Sequence, residues 1–167
     1  MELPKRKIIR LKDYDYSQDG LYFVTICAKD KMNLFGAINK NQELENAVVN
    51  LSDIGKIAEK HLIKLQTRYS FIKIHSYIIM PNHIHTIIEV LNETDKKEEL
   101  SRIIQAYKSL VSKECREVLG IYKLFQRSYY DNIIKNEKEL EKTVFYIIQN
   151  PGRWIYDKYY SDGTIAT

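Results

Sequence analysis

Cysteine is nearly absent from the chain: Cys27 and Cys115 are its only two, with no CxxC spacing between or around them. That excludes a disulfide framework and a cysteine-rich metal site, and reads both as reduced, structural thiols. Proline and glycine are also scarce, three and six, too scattered to mark a linker, and no internal repeat or low-complexity tract is visible. No apolar run is long enough for a signal peptide or a bilayer crossing, so a cytoplasmic protein without a membrane partner is expected. Neither sign of charge dominates. A formal charge of +4 and a pI near 8.9 permit a nucleic-acid partner without requiring one.

What is present suits one compact domain over residues 1–167, with 44% apolar residues. Lys5, Arg6, Lys7, Arg10 and Lys12 make the densest basic cluster, a basic arm over residues 1–20, and residues 151–167 read as a short tail. "LYFVTICA" (21–28) has strand composition, and "LFGAIN" (34–39) is placed to pair with it as a hairpin. Ser52 is a candidate N-cap for a helix through "SDIGKIAEKHLIKLQTRY", with Ile54, Ile57, Ala58, Leu62 and Leu65 at helical spacing. "FIKIHSYIIM" and "HIHTIIEVL" flank Pro81-Asn82 as a second hairpin over 71–91. A second helix is predicted from about Lys97 to Leu119, ended by Gly120, with Leu100, Ile103, Ile104, Tyr107, Leu110 and Val111 inward. After an irregular "FQRSYYDNII", a third helix opens with Asn136 as cap and stops against Pro151. Strand pairs interleaved with helices predict an α+β sandwich, an antiparallel sheet with helices on one face.

On the predicted strand after Pro81-Asn82, His83, His85, Ile87 and Glu89 share one face, while Ile84, Thr86, Ile88 and Val90 share the more apolar other. Two imidazoles at i and i+2 can reach one metal ion or one phosphate. An arbitrary His-x-His pair is more often simply hydrogen-bonded at a sheet edge. A cupin metal site needs a third histidine downstream, yet His61 and His75 both precede the pair, and the helical patterns do not belong to a jelly roll. A metal-hydrolase barrel needs about 250 residues. In "FYIIQNP", Tyr146 and Asn150 lie four apart on one helical face, although the chain has thirteen tyrosines and Asn150, before a proline, is also placed to cap the helix end.

Three ordered blocks, "IIRLKDYDYSQDGLYFVTICA", "SYIIMPNHIHTII" and "LFQRSYYDNIIKNEKELEKTVFYIIQNP", together resemble the single-tyrosine HUH (His-hydrophobe-His) transposases, in their REP-associated, IS200-like branch. The resemblance implies a ferredoxin-like antiparallel sheet with helices packed on it. It also implies a metal motif in His83 and His85, with Asn150 as third ligand, and a nucleophile in Tyr146. The implied reaction is metal-dependent nicking and joining of single-stranded DNA through a 5′-phosphotyrosine, with Mg²⁺ in the cell and Mn²⁺ as an in vitro substitute. Hairpin-forming repeat ends are the implied substrate, and the protein a monomer or homodimer.

A phenol with a pKa of about 10 needs help to attack phosphorus, which a divalent Lewis acid would supply. Arg6, Lys7, Arg10, Lys108, Lys113, Arg127 and Lys135 are candidate phosphate contacts, Tyr129 and Tyr130 candidate base-stacking platforms, and Glu89 a candidate partner for an imidazole. Each has an ordinary reading as solvated charge or packing. Two further readings stay open: a non-catalytic DNA hairpin-binding module, and a metal-dependent hydrolase of small substrates.

Overall fold

The protein is described from a computed structural model, over residues 19–38, 47–91 and 99–160. Arg6, Lys7 and Arg10, with the rest of the predicted arm up to residue 18, lie outside the described residues.

Four strands form the central sheet: β1 (Gly20–Cys27), β4 (Ile72–Met80), β5 (His83–Val90) and β6 (Tyr130–Ile134), in the order β4-β5-β1-β6 with every neighbour antiparallel. Between β1 and β4 come two-residue strands β2 (Gly36–Ala37) and β3 (Asn50–Leu51), then helices α1 (Asp53–Ile63) and α2 (Leu65–Arg68); α3 (Leu100–Leu119) joins β5 to β6. Reduced to its four-stranded sheet, the chain runs βαββαβ with the order of a ferredoxin-like fold, as the resemblance implies. A last helix, α4 (Glu137–Arg153), follows.

Strand alternation divides the layers. Tyr22, Val24 and Ile26 of β1 and Ile84, Ile88 and Val90 of β5 are buried in one core with Ala58 and Leu62 of α1 and Ile103, Ile104, Tyr107 and Val111 of α3. The Tyr107 hydroxyl donates to the Ala58 carbonyl at 3.0 Å, and His61 meets Glu114 at 2.7 Å, joining the two helices at two points. On the other face, Ile87, Ile134 and Ile147 are buried together, with Leu21, Phe23, Leu140 and Val144 against them. α4 therefore covers the opposite face, which corrects the expectation of helices on one face only. Among the described residues no helix is long and apolar enough to cross a membrane.

Several predicted elements hold their places. Ser52 caps α1 by accepting from the Gly55 amide at 3.1 Å, Gly120 ends α3 at φ 68°, and Asn136 caps α4 by accepting from the Glu139 amide at 2.9 Å. Others differ. Residues 34–38 do not pair with β1, whose two edges are occupied by β5 and β6; β2 pairs instead with β3, and residue 39 lies outside the described residues. "YDNII" is a strand rather than irregular, and the first helix breaks at Lys64 into α1 and α2. Pro151 sits inside the last turn of α4 rather than ending it. Burial of Trp154 with Ile38 and Met80 carries the chain past the proline, while residues 156–159 are exposed.

Gly55 shows how tightly α1 is seated. A Cβ there would collide with the Phe35 carbonyl oxygen, while Ser52 Oγ donates to the Leu34 carbonyl at 2.6 Å. Gly55→Ala is expected to cost about 1–3 kcal/mol, read as a lowered urea midpoint with an unchanged slope.

Candidate active site

The site lies on the α4 side of the sheet and is set by register. β1 and β5 place Thr25 opposite His85 and Cys27 opposite His83; β4 and β5 place Ile78 opposite His85 and Met80 opposite His83. Cross-strand partners in antiparallel sheet share a face, so both histidines stand in rows with neighbours fixed by backbone pairing. Their ring centroids are 4.4 Å apart. The two-residue turn Pro81-Asn82 starts β5, so the first imidazole appears at the very end of the sheet.

Each Nδ1 is engaged from below. His83 Nδ1 lies 2.7 Å from Asn82 Oδ1, an acceptor only, so His83 must carry its proton on Nδ1 and present its Nε2 lone pair. His85 Nδ1 lies 2.9 Å from Thr25 Oγ1. Burial lowers the His83 pKa to about 4, with the Lys31 charge adding to it and Asp157 and Asn150 opposing. Burial, then the neighbouring His83 and Lys31, lower His85 to about 3. Both rings are neutral at pH 7 and able to donate lone pairs.

α4 brings the remaining groups. Tyr146 and Asn150, one turn apart, both face the histidines: the Tyr146 ring lies 5.4 Å from the His85 ring and 6.0 Å edge-on from Phe23, and the Asn150 carboxamide is close enough to His83 to raise its pKa. Asn150 is helical and buried rather than a solvent-facing cap, while Tyr146 is 41% exposed. Phe23 also packs on His85 at 5.0 Å, and Trp154 approaches His83 at 6.3 Å. Among the described residues no three His, Cys, Asp or Glu side chains gather as a metal group. The donors converging here are two imidazoles and a carboxamide.

The supporting residues divide. Tyr130 is opposite Thr25 on the histidine face and 46% exposed, whereas Tyr129 packs against the main core. Arg127 and Lys135 are exposed near β6, and Lys113 is an exposed residue near Glu117 on α3. Lys108 differs from the expectation: its ammonium donates to the carbonyls of Gln126 at 2.9 Å and Ser128 at 2.8 Å and lies over Phe125, and burial lowers its pKa to about 8. It pins the loop before β6 instead of pointing at solvent. Glu89 bonds His75 at 2.7 Å, next to a bulge in β4, and neither His83 nor His85. Thr25, Asn82, Lys31 and Phe23 escaped sequence reading. Only Asn82 carried a signal, its place beside the histidines.

No family model matches the chain. An uncharacterized protein of Haemophilus influenzae is 32% identical over 175 residues, covering 94% of each chain. Among solved structures, a REP-associated tyrosine transposase bound to a REP hairpin superposes with a TM-score of 0.61 at 18% identity, over 90% of this chain and 75% of that one. A candidate transposase from Deinococcus radiodurans superposes with a TM-score of 0.50 at 10% identity, over 91% of this chain and 98% of the other. The fold is thus the one seen in tyrosine transposases, and the chain belongs to the same family as the Haemophilus influenzae protein.

Two outcomes follow from these environments. In the unfolded chain both imidazoles titrate near 6.5, so acidification adds protons to the unfolded state first, and stability falls as pH drops from about 6.5 towards 4. Urea titrations of the metal-free protein should lose on the order of 2 kcal/mol per histidine between pH 7 and pH 5, and His85→Gln should flatten that slope by its share. Lys108→Met should destabilise by about 1–3 kcal/mol through two unpaired carbonyls, measured in urea at pH 7.

Proposed function

We propose that the protein is a DNA nicking and joining enzyme of the transposase class, acting on single-stranded DNA with Tyr146 as nucleophile. One observation carries the reading: a half-exposed phenol and a buried carboxamide on one face of α4, set against two neutral imidazoles. A merely structural histidine pair has no use for a phenol held 5.4 Å away at the open side of the site.

The donor set fits a divalent cation. With Nδ1–H of His83 given to Asn82, its Nε2 lone pair is free, and a carboxamide oxygen beside it adds a hard ligand. His83, His85 and Asn150 would hold the ion, Mg²⁺ or Mn²⁺, which when bound supplies Lewis-acid polarisation of a phosphodiester. Nitrogen donors favour Mn²⁺ over Mg²⁺ in vitro. Asn82 and Thr25 keep the two rings oriented, so no reorganisation is needed when substrate arrives. Phe23 and Ile147 hold α4 at a fixed height over the sheet, so that Tyr146 approaches from one direction.

In the reaction, Tyr146 Oη forms a bond to phosphorus and loses its proton to solvent. The P–O3′ bond breaks, and the departing 3′-oxygen takes up a proton, leaving a 5′-phosphotyrosine and a 3′-hydroxyl. Reversal with another 3′-hydroxyl rejoins DNA without a nucleotide cofactor. All four groups come from one chain, which favours a site complete in a monomer. The structure relative bound to a REP hairpin supports a folded hairpin at a repeat end as the substrate.

Purified protein with labelled single-stranded hairpins from its own genome and Mn²⁺ should give a covalent protein–DNA band on a denaturing gel. Chelation should remove it, Tyr146→Phe should abolish it, and Asn150→Ala should slow it about 100-fold or more. Tight hairpin binding with no adduct under any metal would overturn the enzyme in favour of a binding module.

A further inference from the structure

We propose that Lys31 is a phosphate-binding residue of this site, its ammonium taking an oxygen of the phosphodiester that Tyr146 attacks; the assignment rests on the reading of the site as a transesterase. Lys31 follows β1 in a short turn, Lys29–Lys31, where Asp30 and Lys31 have φ of 53° and 57°. L side chains disfavour that region, and two successive non-glycine residues stay in it only where surrounding contacts hold them. Here the Pro81-Asn82 turn does the holding. The Ala28 amide donates to the Asn82 carbonyl at 2.9 Å, and Asn82 Nδ2 reaches the Lys31 carbonyl at 3.4 Å. The amide group that orients His83 through its oxygen thus also grips the backbone of Lys31 through its nitrogen.

The result is an ammonium folded back over the histidine face. Lys31 Nζ donates to Cys27 Sγ at 2.8 Å, and Cys27 is the cross-strand neighbour of His83. A thiol is a weak acceptor and occupies one of three N–H groups. Among the described residues Lys31 makes no ion pair, in contrast to Lys60, which is bonded to Glu114. Its charge is felt at both imidazoles. A cation placed beside two neutral ligands, with no carboxylate bonded to it, is arranged for an anion still to arrive, and a phosphodiester is the anion this site would take.

Two measurements test it. In the denaturing-gel assay, Lys31→Gln should slow adduct formation about tenfold or more while hairpin affinity changes less than about threefold, and Lys31→Arg should restore most of the rate. A parental rate in Lys31→Gln, or a loss of affinity equal to the loss of rate, would overturn the proposal. Without metal, dimethyl phosphate at millimolar concentration should shift the His83 and His85 ring ¹⁵N signals in the parent and in Tyr146→Phe, but not in Lys31→Gln. Equal shifts in Lys31→Gln sink the Lys31 assignment whatever the gel shows. A Lys31-dependent shift in a protein that forms no adduct would instead sink the transesterase and leave the phosphate contact standing.

Discussion

Antiparallel pairing of β1 with β5 is the constraint on which the site depends. Because side chains alternate with a period of two, a slip of one residue would turn His83 and His85 into the main core and bring Ile84 and Ile88 to the α4 face. The register is fixed by the core itself: Ile26 opposite Ile84, and Tyr22 opposite Ile88, are fully buried against α1 and α3. The same register delivers Thr25 to His85 and Cys27 to His83. Packing on one face thereby sets the chemistry on the other.

The second constraint is electrostatic. Burial that keeps the imidazoles uncharged leaves each a lone pair to donate, and acid stability is the corresponding cost. α4 closes the arrangement by a helix whose apolar side, Leu140, Val144 and Ile147, is anchored on the sheet, while Tyr146, next to Ile147 in sequence, stays accessible. An anchored helix holds that phenol at constant height. The chain past Pro151 adds to this anchoring, since Trp154 packs with Met80 at the end of β4 and lies near His83.

The parts of this legible in the sequence are those with local periodicity. The alternation of "HIHTIIEV" told the histidine face from the core face, and the i, i+4 spacing put Tyr146 and Asn150 together. Caps at Ser52 and Asn136 and the terminator at Gly120 are short-range signals of the same kind. What was not legible is non-local. "LFGAIN" reads as a hairpin partner for "LYFVTICA", but β1 has only two edges, and neighbours about sixty and a hundred and ten residues away take them. The pairing of Thr25 with His85 depends on that same choice. Lys108 read as a candidate phosphate contact and Glu89 as a candidate partner of the His83 and His85 face, because nothing in sequence shows that a loop carbonyl or His75 lies within reach. Lys31 was hidden by a backbone conformation that its residue type does not advertise.

Among thirteen tyrosines, Tyr146 is the one proposed to join to DNA. Trypsin would release it in the peptide 143–153, "TVFYIIQNPGR", which contains no other tyrosine. Mass spectrometry of a nuclease-trimmed protein–DNA adduct should find a 5′-phosphonucleotide on that peptide, localised to Tyr146 by fragmentation. The nucleotide on another peptide, such as "SYYDNIIK" with Tyr129 and Tyr130, would rule out Tyr146 as the nucleophile.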